Sequence, residues 1–209
     1  MYNIYMKIDF YFDPACPWCW ITSRWILLTK NERKIDVNWK LFSLAWKNGE
    51  LDKHPENDWH ISSHRVERVL IAAQKQGADL LDLYTNFGIR HFLSGDDYDN
   101  KLIAEIISQL MLDKNLIEYA DDSSLDKDII DSSKEALKAI GEDIGVPTIV
   151  FHENGKTRGF FGPVLSELPT QEEAVKIWDS LVELSKIEYF SELKRGRSSG
   201  PDVYSTAKC

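Results

Sequence analysis

The chain has 209 residues, 43% of them apolar and 28% charged, a balance that excludes wholesale disorder and lets one large domain bury a core without disulfide staples. Its 34 acidic residues outnumber 25 basic ones, for a formal charge of -9, so nucleic acid is excluded as a partner unless a local patch overrides that field. No apolar run reaches the roughly 18 residues of a membrane span, Met1 to Phe12 lacks a secretory pattern, and three cysteines are too few for a disulfide framework.

Ile8 to Phe12 is β-rich and nearly all apolar, which predicts a strand covered on both faces, ended by Asp13-Pro14. A helix is predicted from Pro17, because proline is favoured at the first helical position. Ile21, Trp25 and Leu28 form its buried stripe. Ile35, Val37, Trp39 and Leu41 alternate with polar residues and predict a second strand. The opening therefore reads strand–helix–strand with parallel strands.

Gly49 to Trp59 reads as loop. From Ser63 to about Gly141 the pattern is helical, with stripes at Val66, Val69, Leu70 and Ala73, at Leu102, Ile103, Ile106, Ile107, Leu110 and Met111, and at Leu125, Ile129, Ile130, Leu137 and Ile140. Thr148 to His152, the turn Asn154-Gly155 and Thr157 to Phe161 predict a hairpin. Thr170 to Glu173 is a capping box for a helix burying Ala174, Ile177, Trp178, Leu181 and Leu184. Lys194 to Cys209 is aperiodic and reads as a mobile or surface-wrapped tail. Removing the helical insert leaves β-α-β followed by β-β-α, the order of a thioredoxin core. The expected division is a discontinuous core at 1–58 and 142–193, an inserted helical lid at 59–141 and a tail at 194–209.

The main chemical signal is Cys16-Pro17-Trp18-Cys19 at a predicted helix start. Unpaired N–H groups and the partial positive charge of a helix N-terminus favour a thiolate at Cys16. Cys19 lies one turn inside, which suits a resolving thiol. Half a zinc site is the competing reading, but the one other cysteine is Cys209, far away in the tail. Val146-Pro147-Thr148 is the second signal. Pro147 cannot donate a ladder bond, so it belongs at the start of the third strand. Trans is the ordinary state of an X–Pro bond. In a thioredoxin core, however, a cis proline at this place faces the two cysteines.

The run from Phe12 through Cys16-Pro17-Trp18-Cys19-Trp20 to Trp25 resembles the signature of the DsbA-like thioredoxin superfamily. Within it, the nearest resemblance is to the actinobacterial mycothiol-dependent nitroreductase family. The likeness continues through Phe42 to Ala45, Gly141 to Thr148, Phe160 to Ser166 and Glu192 to Arg195, and diverges between Gly49 and Val66. It implies a DsbA-like thioredoxin fold with an inserted α-helical subdomain acting as a lid. It also implies redox chemistry at Cys16 and Cys19, and a cis-proline loop at Val146, Pro147 and Thr148. Trp20 and Asn48 match positions that line the family's thiol site. No tightly bound cofactor is implied. The co-substrate is a low-molecular-weight thiol, mycothiol or alternatively glutathione, and the substrate is a disulfide or a nitroaromatic or other electrophilic small molecule. No metal, nucleic acid or membrane is expected, and a homodimer is compatible with the sequence.

One departure stands out. The buried carboxylate that many relatives carry six residues before the first cysteine is Phe10 here. Asp13 reads as a turn-former before Pro14, which leaves the general base unassigned. His60 and His64 lie four apart but lack a third metal ligand, and Arg65 and Arg68 are candidates for a thiol's carboxylate. The expected activity is a cytoplasmic thiol–disulfide oxidoreductase acting as a reductase, since Pro17-Trp18 supplies no cation between the cysteines. The rivals are a thiol-dependent isomerase on the same scaffold and a non-catalytic binding or holdase module.

Overall fold

The computed structural model describes residues 6–54 and 58–207, so Cys209 lies outside the described residues. The chain falls into two compact units. One comprises Met1–Tyr11, Pro17–Lys40 and Ala136–Cys209, the other Phe12–Cys16 and Leu41–Glu135. The helical unit thus starts before residue 59 and also takes in the loop that carries Cys16. The tail groups with the sheet.

Among the described residues the sheet has four strands, β1 (Met6–Phe12), β2 (Ile35–Leu41), β3 (Thr148–Glu153) and β4 (Lys156–Phe161), in the order β2-β1-β3-β4. Strand β3 runs antiparallel to both β1 and β4. All of β1 except Lys7 is buried, which is why its sequence is an almost unbroken apolar run. The exception in chemistry is Asp9. Its carboxylate accepts from Asn38 Nδ2 at 2.8 Å and lies 2.9 Å from His152 Nε2, so its burial is compensated. Asn154 and Gly155 both adopt positive φ, 52° and 74°, as a two-residue hairpin turn of this handedness requires.

Helix α1 (Pro17–Lys30) opens on its proline, and α7 (Gln171–Ser185) opens on the capping box of Thr170 and Glu173. The two are tied by Trp25, whose Nε1 donates to Ala174 O at 3.0 Å and whose ring lies 5.9 Å from that of Trp178. Ala174 and Trp178 are buried as expected. Ile177, Leu181 and Leu184 are half-buried, and Val182 takes the inner position instead. The tail closes with a 3₁₀ turn (Val203–Thr206) in which Thr206 is buried.

The helical unit contains α2 (Leu44–Lys47), α3 (Trp59–Lys75), α4 (Leu80–Gly88) followed by a π turn (Ile89–Leu93), α5 (Asn100–Gln109), 3₁₀ turns at Lys114–Asp121 and Ser123–Leu125, and most of α6 (Asp126–Ile140). Part of the chain's acidity has a local use. Asp58, Asp79 and Asp99 each cap a helix start by accepting backbone N–H bonds. The stripe at Val66, Val69, Leu70 and Ala73 is fully buried, as is Leu102, Ile103, Ile106 and Ile107. Met111 departs from the expected stripe. Helix α5 ends at Gln109, and Met111 adopts φ 54° with 92% exposure. Among the described residues no helix is long and apolar enough to cross a membrane.

Gly159 on β4 packs closely against β3. A Cβ there would stand 2.4 Å from Ile149 O and 3.1 Å from Val150 Cα, and neither is a flexible side-chain end. Gly159→Ala is therefore expected to destabilise the protein by about 1–3 kcal/mol, the usual range for overpacking. Urea unfolding checks this, and a midpoint equal to that of the wild type would contradict it.

Candidate active site

The turn after β1 leads from Asp13 to Cys16. Pro14 and Pro17 have no N–H. Cys16 N–H donates to Asp13 O at 3.1 Å. Ala15 N–H donates to Asp13 Oδ1 at 2.9 Å and shares Ser63 Oγ at 3.1 Å. The Asp13 side chain thus shapes the turn, as its place before Pro14 predicts. It also does more. Oδ1 accepts from the Ser63 hydroxyl at 2.5 Å, and Oδ2 accepts from Leu44 N–H, at the start of α2, at 2.9 Å. Cys16, 4% exposed, follows this turn directly.

Asp13 is fully buried, and among the described residues no cation pairs with it. Burial and the nearby Glu67 carboxylate push its pKa up to about 7, although three hydrogen bonds resist. Glu67 is itself fully buried on α3, and burial raises its carboxyl above the usual range against the pull of His64. His64 Nδ1 lies 2.9 Å from Glu67 Oε2 and 2.8 Å from Ser43 Oγ, and its Nε2 lies 3.0 Å from Asp126 Oδ1. Burial disfavours the charged ring, but these carboxylates outweigh it and hold the pKa above its ordinary value. Arg68 completes the row with two bonds to Asp126, at 2.6 and 2.8 Å.

A cleft of about 820 Å³ opens in the same unit, with Ala15 and Tyr98 in its lining. Tyr98 donates to Pro14 O at 2.9 Å, and His91 stacks on its ring with centroids 4.2 Å apart. Trp59, 53% exposed, offers an aromatic face on the wall. Asp58, Asp97, Asp99 and Asp121 outnumber the fixed cations Arg65 and Lys101 there. Burial lowers the His91 pKa, so this ring adds no charge near neutrality.

In the sheet unit, Cys19 is fully buried within α1 and Trp18 is half-buried. The guanidinium of Arg197 lies 4.6 Å over the Trp18 ring, so the tail brings a cation to a dipeptide that has none of its own. The Val146–Pro147 bond is cis, and so is Gly162–Pro163. Pro147 O accepts from Gly162 N–H at 2.7 Å, and Thr148 Oγ1 donates to Gly145 O at 2.8 Å.

Several expected contacts are placed otherwise. Trp20 is 1% exposed, donates from Nε1 to Thr206 Oγ1 at 2.8 Å and carries the Arg24 guanidinium 4.2 Å from its ring. Its ring is covered by these contacts. Asn48 is exposed at the end of α2 and donates to Glu50 at 3.3 Å. Arg65 is held by Asp121 and Asn100, and Arg68 by Asp126, so neither guanidinium stands open for a ligand carboxylate. His60 meets Glu50 and Asp58, but Lys53 donates to both carboxylates at 2.8 Å, making an ion-pair cluster.

Glu67, Ser63 and Tyr98 went unnoticed in the sequence. Glu67 was detectable, because it sits among Ser63, Val66 and Leu70 on the buried stripe of α3, where a carboxylate is out of place.

The family described as Rv2466c-like, mycothiol-dependent nitroreductase Rv2466c, matches the chain over residues 15–195. The uncharacterized protein Rv2286c of Mycobacterium tuberculosis is 29% identical over 195 residues, spanning 91% of this chain and 82% of that protein. Among solved structures, the cytosolic disulfide reductase DsbM from Pseudomonas aeruginosa is similar with a TM-score of 0.59 and 14% identity, covering 85% of this chain and 99% of DsbM. DsbM has also been solved with GSH. The probable DsbA oxidoreductase SCO1869 from Streptomyces coelicolor is similar with a TM-score of 0.59 and 16% identity, covering 94% of this chain and 97% of that one. The fold is therefore DsbA-like thioredoxin, as the order of elements predicts.

The Asp13 environment makes stability depend on pH. The folded carboxyl holds its proton up to about pH 7, against an ordinary value of 3.8, so between those values the folded state binds more protons than the unfolded. The contribution of Asp13 to stability is fully present below the ordinary value and is lost as pH rises through the folded one. Asp13→Asn is expected to remove this slope. Urea midpoints measured across that window check it, and a constant difference between wild type and variant would show that Asp13 does not titrate there.

Proposed function

The chain belongs to the Rv2466c-like, mycothiol-dependent nitroreductase family, and from that membership we propose that it is a cytoplasmic thiol–disulfide oxidoreductase that reduces its substrates with a small thiol. The observation that carries the reading is Cys16-Pro17-Trp18-Cys19 at the head of α1 in a chain of this family. Cys16 is the attacking thiolate. It is the residue just before α1, one turn ahead of Cys19. Cys19, inside the first turn and fully buried, is the resolving thiol. Pro17 and Trp18 set the spacing between them. Val146, Pro147 and Thr148 form the loop along which a substrate backbone is taken, and Asn48 contributes to thiol binding from the end of α2.

In the disulfide reaction, the Cys16 thiolate attacks one substrate sulfur and displaces the other as a thiolate. Cys19 then attacks the Cys16 sulfur, releasing the reduced substrate and leaving the Cys16–Cys19 disulfide. Two small thiols restore the dithiol and leave as their own disulfide. Nitroaromatic and other electrophilic compounds are the second substrate class.

The cleft favours mycothiol over glutathione. Its lining carries more carboxylates than fixed cations, and its arginine is already paired. Glutathione presents two carboxylates and meets repulsion there. A thiol bearing neutral sugar and polyol groups meets hydrogen-bonding carboxylates, Asn100 and the open Trp59 face. A non-catalytic module, by contrast, has no need of two cysteines at this spacing.

Cys19→Ser is expected to accumulate a mixed disulfide between Cys16 and the small thiol, and Cys16→Ser to form none, as read by intact-protein mass spectrometry. Oxidised wild type offered mycothiol, glutathione or a thioredoxin system in parallel should be reduced fastest by mycothiol. Trapping through Cys19, or equal reduction by all three, would overturn the corresponding assignment.

A further inference from the structure

The tail carries a run of basic residues, Lys194, Arg195 and Arg197, all exposed, in a chain whose formal charge is -9. It is tied to the sheet unit on both sides of this run. Upstream, the ring of Phe190 meets that of Phe160 edge to face, with centroids 5.8 Å apart. Downstream, Asp202 N–H donates to Ser166 O at 2.7 Å, and Leu168 N–H donates to Ser205 Oγ at 2.9 Å. Thr206 is buried and accepts from Trp20 Nε1 at 2.8 Å. Trp20 follows Cys19 directly in the chain, so the redox segment itself holds the end of the tail.

Between these ties Arg197 sets its guanidinium 4.6 Å from the ring centroid of Trp18. Trp18 stands between the two cysteines in the sequence and is half-buried. Arg33, Arg65, Arg68 and Arg90 are each engaged by carboxylates. Arg197 has no carboxylate partner among the described residues. A guanidinium held over an aromatic ring keeps N–H donors for a further ligand, and its fork matches the two oxygens of a carboxylate. The neighbouring Lys194 and Arg195 favour the approach of an anion to this stretch.

We propose that Arg197 is a specificity-determining residue for the disulfide substrate: it takes a carboxylate carried beside the substrate's S–S bond, so the preferred substrates are small disulfides bearing an acid. The proposal rests on the thiol–disulfide reading above and names the substrate class within it. The exchange itself is unaltered. The Cys16 thiolate displaces one thiolate of the substrate, Cys19 attacks the Cys16 sulfur and displaces the other, and the two cysteines supply both electrons. The carboxylate stays on the leaving thiol throughout. Charge preference then differs between the two co-substrates. The cleft of the helical unit, rich in aspartates, suits a neutral thiol, whereas the tail offers an unpaired cation to an acidic disulfide.

The test is single-turnover oxidation of the reduced full chain by a dithiodibenzoate and, separately, by its uncharged diamide at low ionic strength. Each rate is divided by that of the same disulfide with a small free thiol, which removes intrinsic reactivity. Wild type is expected to prefer the acid. Arg197→Gln should lower this preference about tenfold, the scale of one hydrogen-bonded charge pair. Added salt should erode the preference of the wild type more than that of the variant. Arg195→Gln removes the same charge from the same exposed run and should keep the preference. An equal fall in Arg195→Gln would assign the effect to the diffuse charge of the tail, and an equal fall for both probes in Arg197→Gln would reduce Arg197 to a prop for Trp18. Either result overturns the proposal. A second measurement needs no redox step: the thioether analogue of the dibenzoate, which cannot be reduced, should bind wild type about tenfold more tightly than Arg197→Gln in calorimetry. If wild type reduces neither disulfide while this difference persists, the carboxylate site stands and the thiol–disulfide reading has failed. If the difference is absent, the proposal has failed.

Discussion

The hydrogen bonds around the Asp13 carboxylate fix the segment on which the chemistry depends. A loop bounded by Pro14 and Pro17 cannot use those residues as donors. Its remaining N–H groups, on Ala15 and Cys16, both end on Asp13, one on the side chain and one on the backbone carbonyl. The same carboxylate reaches Leu44 N–H and the Ser63 hydroxyl, so it joins the loop to α2 and α3. Leaving any one of these buried groups unmatched costs about 1–3 kcal/mol. The position of Cys16 is thus set by the backbone and by one buried acid.

That arrangement explains which parts of the site were legible in the sequence. Cys16, Cys19 and Pro147 are visible because their chemistry is local: a spacing of three at a helix start, and a proline that cannot sit inside a strand. The strands, the hairpin at Asn154-Gly155 and the helix capped by Thr170 are visible for the same reason, since periodicity and turn residues report the backbone directly. Asp13 is only half visible. Its turn is a two-residue relation, but its burial depends on Ser63 and Leu44, far along the chain. The surroundings of Trp20 are equally distant in sequence. An aromatic beside a redox pair looks available, and only the distant Thr206 and the neighbouring Arg24 show that its ring is covered.

Charge near the cysteines follows the same division between local and distant sources. The dipeptide Pro17-Trp18 brings no cation, which argued for the reductase end of the thioredoxin range. Arg197, nearly two hundred positions later, restores a guanidinium over Trp18. Being exposed, it is screened by water and salt, and such a contact is worth about 0.5–1 kcal/mol. Arg197 therefore offsets the missing cation only weakly.

Two residues connect the Asp13 carboxyl to the cleft. Ala15 faces the cleft, while its N–H is one of the bonds that hold the Asp13 carboxylate. Tyr98 lends the cleft its ring, while its hydroxyl holds Pro14 O in the same turn. A ligand seated in the cleft excludes water from the side of the loop that these two residues cover. Losing water there disfavours a charged Asp13 further, because burial is already the main cause of its raised pKa. Occupancy of the cleft is therefore coupled to the protonation of one buried carboxyl.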